Sequence, residues 1–455
     1  MLSLIVSFML EWDALFAQRR SAHRAIRLAL ASSCVLGRRT IARAHLIRHP
    51  LADWSADYKL FSRSPWPAQD LFNPVLKEAI ALCPGRLLPL ATDDTRLPKS
   101  GKKVAGAHWG RHPLSPPFHV NLQFGLRFLH TAVLLPLHAT AAVSARALPV
   151  WFEEVTPERK PGKKATPEDQ QAYREAVKVN NLSQRAVQMM RQLRQRVDAA
   201  GAGDKILAFA LDGSYCNKTV FTAELERTIL IARSRKDARL CFAAEGGGRR
   251  VYGEEKFTPE QVRQDESRLW QKVEIFHGGK KREVEYKEVR EVLWQKGSGE
   301  KRLRLLVVKP TAYRKTKKGR LLYRQAGYLL TTDLAGEAGE LLQVYFDRWQ
   351  IEVSHREMKQ SGGLGQAQVR VRKSVERQPV LSAATYSVVQ LAALKAYGAK
   401  RGEEFEELPK YQRERARVSY QEMIRKLRSE VVESGEGLAM GLKITEKALL
   451  AAATV

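Results

Sequence analysis

The sequence predicts an α/β protein: a mixed sheet with helices on its faces, interrupted by a basic β-rich segment and flanked by helical ends. Three observations carry this. Short apolar runs of strand length recur at Arg86–Thr92, His119–Arg127, His130–His138, Lys205–Leu211 and Arg227–Ala232. One long helical stretch, Gln170–Ala200, separates the third run from the fourth. Beyond residue 245 the strands alternate and become charged, and from Trp270 through Arg324 roughly 17 Lys and Arg stand against 6 Asp and Glu.

Taken in order, residues 1–85 are helical and basic and are expected to bind DNA. The apolar start Met1–Leu10 lacks both a basic segment before it and a small-residue cleavage site after it. It therefore predicts helix, continuing through Trp12, Leu15 and Phe16, and not a signal peptide. Within Gly37–Arg48 the pattern predicts a helix with Thr40 near its N-cap, Ile41, Ala44 and Leu46 inside, and Arg38, Arg39, Arg43 and Arg48 outside. Residues 86–244 form the first part of the core, with a Gly/Pro/Lys loop from Lys99 through Arg111 and a surface loop at Glu153–Asp169. Residues 245–325 are the β-rich insertion. Its strands are expected near Val273–Phe276, Val284–Trp294, Leu303–Val308 and Leu321–Leu330, with Arg314–Arg320 as an exposed turn. Residues 326–398 return to the core through Leu329–Leu334, a helix over Gly336–Gln360 and an apolar helix over Val380–Ala396. Residues 399–455 are a charged helical tail.

Composition narrows the partners. Lys and Arg number 77 against 49 Asp and Glu, a net charge of +28 in 455 residues. So basic a chain points to nucleic acid, and the apolar stretches are too short to span a membrane. Cys34, Cys83, Cys216 and Cys241 form no C-x-x-C pair, and the 10 histidines show no ligand spacing. That pattern gives neither a zinc site nor a disulfide framework and predicts a reducing, cytoplasmic setting. Any metal must then be held by carboxylate oxygens, which favours Mg2+ or Mn2+.

Acidic residues are scarce, so their positions inform. Asp93, Asp94 and Asp212 lie at the carboxyl ends of apolar strands, where ligand sites of open α/β sheets gather. In Tyr345-x2-Arg348-x3-Glu352-x6-Lys359 a helix brings all four side chains within a stripe about 60° wide. One acid then stands between two cations and a phenol. Three carboxylates without thiol or imidazole suit two divalent ions about 4 Å apart, one activating water or a 3′-hydroxyl and the other stabilising the leaving oxygen.

The run Tyr345–Lys359 resembles the Y-R-E-K signature of bacterial insertion-sequence transposases of the DDE class. Asp93-Asp94-Thr95, with Lys99-x-Gly-Lys-Lys103 and Gly106-Ala-His-Trp109 after it, resembles that family's first-aspartate segment. Asp212–Val220 resembles the second, and Arg233–Asp237 is similar to the basic strand that follows. The resemblance covers about residues 55–385. It implies a ribonuclease H-like core carrying a β insertion, and Mg2+-dependent cut-and-paste transfer of DNA. Asp94, Asp212 and Glu352 become the metal ligands, with Asp93 the alternative to Asp94. Tyr345, Arg348 and Lys359 become contacts to phosphates near the transposon end, and Trp270 or Trp294 a surface for an unpaired base. The implied partners are terminal inverted repeats and target DNA, bound by a homodimeric synapse. A structure-specific nuclease on the same fold, or a catalytically silent DNA-binding derivative, are the rival readings.

Overall fold

The computed structural model describes residues 1–48, 53–112, 115–116, 118–244, 250–314, 319–407, 409, 411, 416–434 and 444–453. The N-terminal segment folds as α1 (Leu2–Leu10), α2 (Arg19–Cys34), α3 (Ile41–Arg48), α4 (Ser55–Ser62) and α5 (Asn73–Ala81), with a 3-10 turn over Glu11–Leu15 that buries Trp12. On α2, Ala22, Ala25, Ile26 and Ala29 recur at helical spacing and are all buried. α3 starts as expected, with Thr40 Oγ1 accepting from the Arg43 N–H at 3.2 Å. Arg48, however, is buried and not outside. The cause lies on α4: Asp57 is fully buried and accepts from Arg48 at 2.6 and 2.7 Å and from Arg24 at 2.8 Å, with His45 at 2.8 Å. A carboxylate without water draws in the nearest cations, and a sequence pattern does not show it.

The core follows as β1 (Leu87–Pro98), β2 (His108–Arg111), β3 (Leu122–Leu135), α6 (Leu137–Ala141), β4 (Arg146–Glu154), α7 (Pro167–Val179), α8 (Leu182–Ala199), β5 (Ile206–Leu211), α9 (Lys218–Phe221) and β6 (Thr228–Arg233). Strands β4, β3, β1, β5 and β6 lie side by side; β3 is antiparallel to its three partners β1, β2 and β4, and β1, β5 and β6 run parallel. This mixed sheet with helices on both faces is the ribonuclease H-like architecture. Several expectations change. β1 runs on to Pro98, held by its ladder to β3, so Asp93 and Asp94 lie inside the strand and not at its carboxyl end. The runs His119–Arg127 and His130–His138 are one strand, β3, because nothing between them breaks the ladder to β1. The third core strand is β4, which Pro149 hides in the sequence. Pro149 sits where the β3–β4 register shifts, a position at which a missing N–H is tolerated. The helix expected over Gln170–Ala200 is two, separated where Asn181 caps α8 by accepting from the Gln184 N–H.

The segment after β6 contains α10 (Pro259–Gln264), β7 (Gln271–His277), β8 (Lys280–Leu293), β9 (Arg302–Val308), the small hairpin β10 (Ala312–Arg314) and β11 (Leu321–Tyr323), and β12 (Gly327–Thr331). Its strands extend the core sheet in the order β6-β12-β9-β8-β7, giving ten hydrogen-bonded strands. The run Leu321–Leu330 divides between β11 and β12, and residues 315–318 of the expected exposed turn lie outside the described residues. Then come α11 (Ala338–Asp347), α12 (Trp349–Gln360), α13 (Arg372–Tyr397), α14 (Tyr420–Glu433) and α15 (Glu446–Ala453).

The two faces of the sheet are filled differently, and this positions the site. Ala210, Ile231 and Leu329 pack on Leu341 and Leu342 of α11, while Ala91, Ala132 and Ala147 make room for Ile351 of α12. On the other face Leu88, Leu90, Phe209 and Leu211 join Met189, Met190 and Leu193 of α8 in the main core. Small residues under α12 let that helix approach the strand ends closely.

Candidate active site

The parallel register aligns Thr92 of β1 with Leu211 of β5, and Leu211 with Ala232 of β6. The next residues along are Asp93, Asp212 and Arg233. Aligned residues of parallel neighbours project to the same side, so this row continues the Ala91, Ala210 and Ile231 face that α11 and α12 cover. On the opposite flank Asp93 pairs in register with His130 of β3. Asp212 begins the turn after β5, with one oxygen accepting from the N–H of Ser214 at 2.9 Å and from its hydroxyl at 2.6 Å. Asp94, one residue on, belongs to the other pleat. Its two oxygens accept from the Arg127 guanidinium at 2.7 and 2.9 Å, a bidentate pair.

These two aspartates therefore differ in charge balance. Burial pushes the Asp93 carboxyl up to about 7, and the negative charge of Asp212 beside it adds to the rise. The Asp94 N–H, donating to Asp93 Oδ1 at 2.8 Å, and the more distant Arg348 oppose it only in part. Glu352 is likewise raised, first by burial and further by Asp212, against the pull of Arg348. Arg348, 3.4 Å from Glu352, offsets only part of the charge of this cluster. Near it the Tyr215 hydroxyl is buried with no hydrogen-bond partner among the described residues, its pKa raised by burial and by Asp94, Asp93 and Asp212.

Across from the strand ends stand Tyr345, Arg348, Glu352 and Lys359. The single helix expected over Gly336–Gln360 is α11 and α12, joined at Arg348. There the Arg348 N–H donates to the Tyr345 carbonyl at 3.2 Å and the Ile351 N–H to the Arg348 carbonyl at 3.0 Å, i to i+3 bonds that tighten the joint. The four side chains still turn to one region. The Arg348 guanidinium lies 5.9 Å from the centre of the Tyr345 ring and 3.4 Å from Glu352 Oε1. Burial lowers the Lys359 ammonium, and the charges of Asp93 and Asp94 oppose that only in part.

Of the residues expected from the sequence, Asp212, Glu352, Tyr345, Arg348 and Lys359 thus gather at one end of the sheet. Asp94 is turned to Arg127, and Asp93 takes the place beside Asp212. Among the described residues no three Asp, Glu, His or Cys side chains are close enough together to hold one metal ion. The donor set nevertheless fits a hard divalent cation in kind: carboxylate oxygens only, with Asp93 and Asp212 repelling each other.

Four neighbours were given no place in the site by the sequence. His130 and His355 are buried against each other, Nδ1 to Nε2 at 2.8 Å, fastening α12 to β3. Arg233, at the end of β6, completes the row begun by Asp93 and Asp212. Trp349 is 58% exposed and borders a cavity of about 790 Å3 shared with Tyr313, Tyr323, Tyr345 and Arg348. The tryptophans singled out in the insertion are engaged elsewhere. Trp294 packs edge-on against Phe221 with ring centres 6.1 Å apart, and Trp270 lies under the ammonium groups of Lys287 and Lys309 at 4.6 and 5.3 Å.

A family model described as a DDE superfamily endonuclease matches residues 14–301 of the chain. The chain belongs to the DDE superfamily endonucleases. No curated protein matches it. As a DDE endonuclease the protein cleaves nucleic acid, its substrate is DNA, and enzymes of its kind generally use divalent metal ions. The match contains both aspartate segments and ends before Tyr345, so the glutamate helix joins the site through the fold. Among the described residues no helix is long and apolar enough to cross a membrane.

Proposed function

We propose that this DDE endonuclease is a transposase of the Y-R-E-K group, cutting the ends of its element and transferring the freed 3′-hydroxyls to target DNA. The observation that carries the reading is the approach of Asp93 and Asp212, one step past the last paired residues of the parallel β1–β5 ladder, to Glu352 and its flanking Tyr345, Arg348 and Lys359 from α11 and α12. In this reading Asp212 and Glu352 are metal ligands, and the register supports Asp93 as the third. The motif match favours Asp94, whose charge Arg127 already balances.

Mg2+, with Mn2+ as substitute, would be held by these carboxylates and supply Lewis acidity to the attacking and leaving oxygens. The chain's own residues do the rest. Arg348 and Lys359 hold the non-bridging oxygens of the scissile phosphate and offset charge as it develops. Glu352 leaves its 3.4 Å contact with Arg348 when a phosphate competes for the guanidinium. Tyr345, its ring beside Arg348, orients that guanidinium toward DNA. Basic surfaces of the N-terminal helices and of the inserted strands hold the duplex, and two copies are needed to bring two ends together.

The test is incubation of the protein with DNA carrying its own flanking sequences and Mg2+, scored for nicks, hairpins and joined products. Joined products support the transposase. Nicks alone would make the protein a structure-specific nuclease, and DNA binding with neither product a silent derivative.

A further inference from the structure

Beside the carboxylates a cleft of about 990 Å3 opens between the end of β6, α10 and the turn from β11 to β12. It begins at Gly213, the residue after Asp212, and ends at Gln325, which it shares with the aromatic cavity bordered by Tyr313 and Tyr323. Four cations line it: Arg233, Arg235, Lys236 and Arg263. Two are balanced in place. Arg235 is bidentate to Asp237 at 2.9 and 2.7 Å, and Arg263 to Glu260 at 3.0 and 2.6 Å. Arg233 and Lys236 have no ion pair among the described residues, and both are exposed.

We infer that this cleft binds the backbone of one unpaired DNA strand leaving the cut site, with Arg233 and Lys236 on successive phosphates. The inference rests on the proposed DNA cleavage at Asp212 and gives the path of the strand beyond it. Three features carry it. The volume is that of a small-ligand pocket, room for a few nucleotides and not for a double helix. Its uncompensated charge is positive, and phosphate is the anion a DNA-cleaving enzyme brings to that point. It adjoins, at Gln325, the cavity bordered by Tyr313 and Tyr323, and a cationic groove beside stacking surfaces is how single strands are held. The inserted segment then has a use: α10 and the residues around the β10–β11 hairpin build the outer wall of the cleft.

The test compares binding of a blunt duplex end with the same duplex carrying an unpaired tail of about four nucleotides, at several salt concentrations. Lys236→Ala is expected to weaken binding of the tailed DNA about fivefold and to lower its salt slope by about 0.7, the loss of one single-strand phosphate contact, with the blunt end unchanged. Lys280→Ala, removing the same charge from the exposed β7–β8 hairpin, should weaken both DNAs equally or neither. Equal loss on both DNAs for Lys236→Ala, or no loss, would overturn the cleft. Wild-type protein that neither binds nor cuts either DNA would instead sink the reading on which the cleft depends.

Discussion

Asp93→Asn should make the metal-free protein more stable while destroying its activity. The Asp93 carboxyl is pushed from its ordinary 3.8 to about 7. Between those values the folded state holds a proton that the unfolded chain releases, so stability falls as pH rises from about 4 to about 7. Roughly three pH units at about 1.4 kcal/mol each set an upper figure of about 4 kcal/mol. The field is shared with Asp212, so about 2–4 kcal/mol is the expected range. Asparagine removes the penalty: no gain below pH 4, the full gain above pH 7. With about 2.1 cal/mol/K of unfolding entropy per residue, that is a rise in Tm of about 2–4 °C. Scanning calorimetry from pH 5 to 8 in chelator reads it. Mg2+ should then raise the Tm of the wild type and not of the variant, and cleavage should be lost. Asp94→Asn should do the reverse, losing about 1–3 kcal/mol as its bidentate bond to Arg127 goes. A fall in Tm for Asp93→Asn at pH 8 without metal, or retained cleavage, would refute the argument from register and hand the first position to Asp94.

Glu352→Gln should lower Mg2+-dependent cleavage about a thousandfold or more and leave DNA affinity within a few-fold; cutting near the wild-type rate would remove Glu352 from the site. Lys359→Ala should weaken duplex end binding about fivefold and lower the salt slope by about 0.9, and an unchanged slope would reduce Lys359 to a packing residue. In the N-terminal helices Asp57→Ala strands Arg48 and His45 in the interior and should cost about 3–5 kcal/mol in denaturant unfolding. Burial pushes the Asp57 carboxyl up, but Arg48 and Arg24 outweigh this and hold it below its ordinary value. Its contribution is therefore present above about pH 4 and lost as pH falls through the folded value; wild-type stability that stays flat below pH 4 would contradict this.

Much of the sheet was legible because strand ends and turn residues are local signals. Lys205–Leu211 and Arg227–Ala232 fold as β5 and β6 within a residue of their expected bounds, whereas β1 starts as expected but runs six residues past Thr92, because its later half pairs with β3 alone. β4 was not legible, since Pro149 argues locally against a strand that a register shift accommodates. The Tyr345–Lys359 stripe was legible because helical spacing alone brings those side chains together. The joint at Arg348 was not, because nothing in Asp347-Arg348-Trp349 breaks a helix; it is a tertiary feature.

By itself the sequence determined the kinds of groups this chain can bring to bear: scarce acids that follow short apolar runs, a large excess of cations, and a phenol, two cations and one acid at helical spacing. These follow from residue identity and from the periods of helix and strand. Which of Asp93 and Asp94 stands beside Asp212, that Arg233 completes their row, and that a cleft begins where the row ends were decided by the tertiary structure. Register between strands more than a hundred residues apart, and the burial that follows from it, depend on pairings that no local pattern encodes.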